Sequence, residues 1–137
     1  MRLSTQQKGV TTELAVATYF LSLGYNVSSP FCQDSRYDLI LDVCGKLLRL
    51  QVKTLRLSGN NSIILSCRST TTNSKDNKSH TYSKTEVDFI ATFWDGRAYL
   101  IPVGECVNSK RLYLLSPRQS NWSFIGDYLA EKVLKNL

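Results

Sequence analysis

Residues 37–53 read YDLILDVCGKLLRLQVK, and this stretch decides the fold. Two runs alternate with period two on either side of Cys44-Gly45, the pattern of a β-hairpin with a two-residue turn. With Cys44 and Gly45 as the loop, Val43 pairs with Lys46, and counting back sets Asp38 opposite Gln51. Residues directly opposite have Cβ atoms roughly 4.5–5.5 Å apart. Lys53 lies two residues beyond Gln51 and points the same way. One face therefore carries Asp38, Ile40, Asp42, Leu47, Arg49, Gln51 and Lys53. The other carries Tyr37, Leu39, Leu41, Val43, Leu48, Leu50 and Val52 and is a core face, with Lys46 at the turn. An acid, an amide and a lysine thus gather at one end of a mostly buried hairpin, where polar groups without partners are costly.

Upstream, Ser4 to Leu23 reads as an amphipathic helix. Ser4 and Gln7 form a capping-box pattern, and Gly24 is a C′ stop. Val10, Leu14, Ala17 and Leu21 recur at helical spacing, with Val16 and Phe20 beside them. Glu13 is the only acid of this helix and lies beside the apolar stripe. From the helix alone it reads as a solvated flank carboxylate. Gly9, one turn earlier, leaves room for a close backbone approach or is incidental. Tyr25 to Ser29 is a short strand ended by Pro30, and a loop carrying Arg36 leads into the hairpin.

Downstream, the second hairpin strand extends through Arg56. The turn Ser58-Gly59-Asn60-Asn61 then leads into a strand from Ser62 to Arg68. Ser69 to Ser83, STTTNSKDNKSHTYS, has no apolar period and reads as a long polar loop. Arg68, Lys75, Lys78, His80 and Lys84 could track a phosphate backbone there, Tyr82 could stack, and Arg36 and Arg56 could join them. The alternative is a mobile surface loop with solvated charges. Val87–Trp94 and Arg97–Val103 form a second hairpin about Asp95-Gly96, with Pro102 at an edge. Leu112 to Leu115 adds a short strand, and Asn121 to Leu137 reads as a closing helix.

At 137 residues the chain fits one domain, residues 1–137, with enough apolar content for a core. The net charge of +6 favours an anionic partner such as nucleic acid. Cys32, Cys44, Cys67 and Cys106 lack zinc-site spacing and suit a reducing cytoplasm. No apolar run approaches the roughly 20 residues of a membrane span. Met1-Arg2-Leu3-Ser4 is followed by no signal-peptide hydrophobic region. No Ser or Cys nucleophile with a His base is visible, and no Gly-rich phosphate loop.

The chemistry that fits the polar cluster is metal-dependent phosphodiester cleavage, which needs a nucleophilic water and positive charge over the developing anion. Magnesium prefers oxygen ligands. Asp38 would be its central ligand, with the Gln51 amide oxygen, the Val52 carbonyl and Glu13 as further donors. Lys53 would stabilise charge or orient the water. The competing structural reading makes Asp38 a strand-end residue, Lys53 a solvated edge lysine and Gln51 a locally satisfied amide.

Glu13 in the first helix, then Ser35-Arg36-Tyr37-Asp38, a tight turn and Gln51-Val52-Lys53, resembles the PD-(D/E)XK nuclease superfamily. The form with Gln51 is most similar to bacterial group I intron-encoded homing endonucleases, as are Val87-Asp88-Phe89 and Tyr99-Leu100-Ile101-Pro102-Val103. The resemblance implies an α/β restriction-endonuclease-like core, a mixed central sheet flanked by helices. It implies Asp38 as metal ligand, Glu13 as its support, Lys53 as the catalytic lysine and Gln51 in the place of the second acid. Gln brings no negative charge, so metal affinity should be lower than with Glu. Tyr37 stands where the motif's name has Pro. The expected protein is a Mg2+-dependent homing endonuclease, a tetramer (or dimer) cutting double-stranded DNA at a specific site, cytoplasmic and acting on nucleoid-associated DNA. Alternatives are a Holliday-junction resolvase or repair nuclease of the same fold, and a DNA-binding module that has lost cleavage.

Overall fold

The computed structural model describes residues 1–72, 77–116 and 121–137, the side chains of 69–72 and 77–79 excepted. Its elements are α1 (Thr5–Ser22), β1 (Asn26–Ser28), β2 (Leu39–Val43), β3 (Lys46–Val52), β4 (Arg56–Ser58), β5 (Ser62–Ser66), β6 (Arg68–Thr72), β7 (Asn77–Thr81), β8 (Phe89–Trp94), β9 (Arg97–Pro102), β10 (Ser109–Tyr113) and α2 (Ala130–Lys135). Short 3-10 turns cover Val103–Glu105 and Ile125–Tyr128.

The opening hairpin forms in the expected register, from Val43↔Lys46 to Leu39↔Leu50. Cys44 and Gly45 both have positive φ, 54° and 90°. A type I′ turn requires this, and its twist matches that of the flanking strands. The Gly45 N–H donates to Asp42 Oδ1 at 2.8 Å, which holds the turn. On its far side β3 pairs in parallel with β8, and β8 pairs antiparallel with β9. The sheet order is β1-β2-β3-β8-β9, so β3 is its central strand. The mixed sheet flanked by helices is the architecture expected from the sequence.

Alternation along these strands feeds two cores. On one face Val16 and Phe20 of α1 and Ala130 and Leu134 of α2 pack against Leu41, Leu50, Val52, Ala91 and Leu100. On the other, Ile90 and Ile101 meet Ile63, Leu65 and Leu112 of the three-stranded sheet β10-β5-β4. Each Val, Leu, Ile or Phe side chain among them contributes about 1.5–3 kcal/mol on leaving water.

Several expectations are corrected. In α1 the capping box and the Gly24 stop are present, the latter with φ 94°. The buried edge, however, is Val16 and Phe20, while Val10, Leu14 and Leu21 are more than half exposed. A Cβ at Gly9 would meet nothing within 4 Å, so no backbone approaches it closely. β3 ends at Val52, and Arg56 belongs to β4, paired with Ile64 of β5. The Ser69–Ser83 stretch is not a loop throughout: β6 and β7 pair as an antiparallel ribbon from Arg68↔Thr81 to Thr72↔Asn77. Its Thr-rich run supplies β-branched residues, which favour strand without an apolar period. Lys75 lies outside the described residues. The closing helix shrinks to α2 because Leu129 is extended (φ −55°, ψ 131°) and bridges to Tyr99. Cys67 and Cys106 are joined in a disulfide, whereas Cys32 and Cys44 are free and exposed.

Candidate active site

Asp38 sits where β2 stops pairing. The ladder ends at Leu39↔Leu50, and the Asp38 N–H donates to the Leu50 carbonyl at 2.8 Å. The Asp38–Gln51 pair that counting predicts is therefore not part of the ladder. Instead, Asp38 Oδ2 accepts the Val52 N–H at 2.8 Å. Beyond Leu50, β3 keeps only its parallel partner, with Gln51 beside Ile90 and Val52 beside Ala91. The carboxylate takes the place of the missing strand. A strand residue directs its N–H and C=O to the same side, so the Val52 carbonyl faces Asp38 as well.

Glu13, half-buried on α1, lines with Asp38 a cleft of about 310 Å³ to which Tyr37 and Cys32 also contribute. The helix is tied to the end of β3 next door: Thr12 Oγ1 lies 3.0 Å from Thr54 Oγ1. Sequence reading misses this contact between the neighbours of Glu13 and Lys53, because it joins two hydroxyls far apart in the chain. Tyr37 departs from its expected face, since it packs against the second core rather than beside Leu39.

The charges of the site are strained in a consistent way. Burial raises the pKa of Glu13, and the negative charge of Asp38 raises it further. Burial also raises Asp38, opposed by the Val52 hydrogen bond and the charge of Lys53. Burial lowers Lys53; Asp38 opposes that, and Arg36 reinforces it. Asp38 thus stands between an acid and an ammonium, and a further positive charge in the cleft would relieve both carboxylates. The candidate donors are oxygens, the two carboxylates and the Val52 carbonyl; Gln51, half-buried, precedes Val52 on β3 beside Ile90. No cluster of three or more His, Cys, Asp and Glu exists among the described residues. A hard divalent cation suits such a set, and water would complete its shell.

The residues expected to bind DNA divide. Arg56 and Lys84 are exposed. The Arg36 guanidinium is ion-paired to Glu86 at 2.7 Å and lies 4.3 Å from the Tyr82 ring centroid. Tyr82 is only 8% exposed, so its ring is part of the core and not a free stacking platform. Arg68 is half-buried, and its Nη1 donates to Asn108 Oδ1 at 2.6 Å. Lys78 is in β7, and His80, exposed, pairs with Ser69 in the ribbon. Arg49 forms a second brace: its backbone N–H and its Nε both donate to Asp88 Oδ2, at 2.8 and 3.2 Å. Neither acid, Glu86 nor Asp88, stands out as a partner in sequence, because each arginine lies on an element remote in the chain.

The mixed five-stranded sheet flanked by helices, with its central strands parting at Asp38, is a restriction-endonuclease-like fold. The model of the PD-(D/E)XK endonuclease family matches residues 3–123, and the chain belongs to that family. PD-(D/E)XK nucleases generally use divalent metal ions, and the fold implies a DNA substrate. Among solved structures, that of a bacterial homing endonuclease, I-Ssp6803I, is similar, with a TM-score of 0.77 and 24% identity. The match covers 98% of this chain and 95% of that one. Among curated proteins none matches the chain.

Proposed function

We propose that this endonuclease is a metal-dependent, site-specific homing enzyme that hydrolyses double-stranded DNA. The observation that carries the reading is the Asp38 carboxylate, shared between the Glu13 cleft and the Val52 backbone, with Lys53 the next residue after Val52. Asp38, the Val52 carbonyl, Gln51 and Glu13 would hold Mg2+. Bound there, the ion would supply positive charge against the scissile phosphate and acidify a water. Lys53 places an ammonium where charge develops on the phosphate, and Asp38 fixes the backbone that carries it. Glu13 would hold the ion or a water bound to it, and the cation would relieve the strain between its charge and that of Asp38. Exposed Arg56 and Lys84, together with Lys75 and Lys78, would contact backbone phosphates. Assembly as a tetramer would present two sites to the two strands of one duplex.

The test is selection of cleaved sites from a random duplex library with Mg2+, alongside Lys53→Ala and a four-way junction. Cleavage of a defined duplex by the wild type alone supports the reading. Preferential cutting of the junction would point to a resolvase, and DNA binding without any cutting to a non-catalytic module.

A further inference from the structure

Two cations share one aromatic ring at the base of the ribbon. Arg36 Cζ lies 4.3 Å from the centroid of Tyr82, and Lys53 Nζ lies 5.3 Å from it. Lys53 Nζ also donates to the Arg68 carbonyl at 2.9 Å. Arg36 Nη2 donates to the Thr81 carbonyl at 3.1 Å. Arg68, the first residue of β6, pairs with Thr81, the last of β7. The two carbonyls of one strand pair are therefore held by the two cations on one ring. Like charges this close repel, but the electron-rich face of a tyrosine attracts both. The Glu86 carboxylate, 2.7 Å from Arg36 Nε, offsets the second charge.

We propose that Tyr82 is a positioning residue for Lys53: its ring and the Arg68 carbonyl together fix the ammonium, so that the seating of the β6–β7 ribbon sets the seating of the lysine. This rests on the reading of Lys53 as the group that stabilises charge on the phosphate. The bland alternative is that Tyr82 merely fills the second core beside Val87 and Ile90. The two differ in what they demand of the side chain. Filling needs bulk, whereas positioning needs an aromatic face and does without the hydroxyl.

Tyr82→Phe and Tyr82→Leu separate them, assayed on the duplex recovered by library selection. Expected are a Phe variant within about twofold of wild type and a Leu variant slowed about tenfold in single-turnover rate at unchanged DNA affinity. In metal-free protein, the ε-methylene proton signal of Lys53, assigned by its disappearance in Lys53→Arg, should lie upfield under the ring current. It should stay upfield in the Phe variant and return to the ordinary lysine position in the Leu variant. A Leu variant at the wild-type rate, or a Phe variant as slow as Leu, overturns the proposal. Should the Leu variant fail to fold, the wild-type spectrum decides, and an unshifted Lys53 signal overturns it. A fully active Lys53→Ala removes the site reading and the proposal together. An inactive Lys53→Ala beside a fully active Leu variant removes the positioning role alone.

Discussion

Asp38 Oδ2 accepts the Val52 N–H at 2.8 Å, just beyond the last rung of the β2–β3 ladder. A side chain here completes the hydrogen bonding of a sheet. The acid central to the site is thus also the group that satisfies a backbone donor of Val52, the residue before Lys53.

Asp38→Asn separates these two roles. The amide oxygen still accepts the Val52 N–H, so stability should stay within about 1 kcal/mol of wild type. The charge that would hold the cation is gone, and cleavage should fall at least about a hundredfold. Thermal unfolding and a cleavage time course check both halves; a variant that still cuts at the wild-type rate removes Asp38 from the chemistry.

Glu13 should destabilise the metal-free fold at neutral pH. Its folded pKa is raised above the ordinary 4.5, by burial first and Asp38 second. The native state then keeps its proton to higher pH than the unfolded chain, so stability is lost as pH rises from 4.5 through the raised value. Glu13→Gln should therefore melt higher than wild type at pH 7, with the gain vanishing below 4.5. Added Mg2+ should narrow the difference, because wild type gains more from binding. An unchanged melting temperature at pH 7 counts against the strained acid.

Gln51→Glu adds the negative charge that the amide lacks. The Mg2+ concentration for half-maximal cleavage should drop on the order of tenfold, as expected for an added charge at a partly buried site. Titration of activity against Mg2+ measures it, and an unmoved midpoint excludes Gln51 from the metal shell.

Replacing Lys75 and Lys78 should weaken DNA binding across sequences and lower the slope of log affinity against log salt. The slope should fall by about one unit for each phosphate that is no longer neutralised. Binding isotherms at several salt concentrations give the slope, and an unaltered one takes the two lysines out of the interface.

What is legible in the sequence is local. Cys44-Gly45 between alternating runs fixes the turn, and the register follows by counting down to Leu39↔Leu50. Ser4 and Gln7 mark the start of α1, three residues apart. Asp38, Lys53 and Glu13 are identifiable as candidates from residue type and order, but their arrangement is not. Asp38 leaves the ladder where β3 pairs in parallel with β8, a contact between distant segments. Arg36 and Tyr82 read as free DNA contacts in sequence because Glu86 is remote from Arg36 in the chain and becomes its neighbour only on folding. The exposed side of α1 is misjudged because periodicity finds an apolar stripe without saying which of its flanks meets the sheet. In this helix the sheet takes Val16 and Phe20.

The two free thiols stand at opposite ends of this arrangement. Cys32 lines the cleft of Glu13 and Asp38, whereas Cys44 sits in the hairpin turn. The turn lies about 20 Å along β2 from Asp38 at ~3.4 Å per residue. Both thiols are exposed, so one maleimide reagent reaches either. With Cys32 replaced by Ser, a fluorophore on Cys44 becomes a remote beacon for following the protein onto DNA. With Cys44 replaced instead, alkylation at Cys32 plugs the cleft, and its rate becomes a gauge of whether that cleft is occupied.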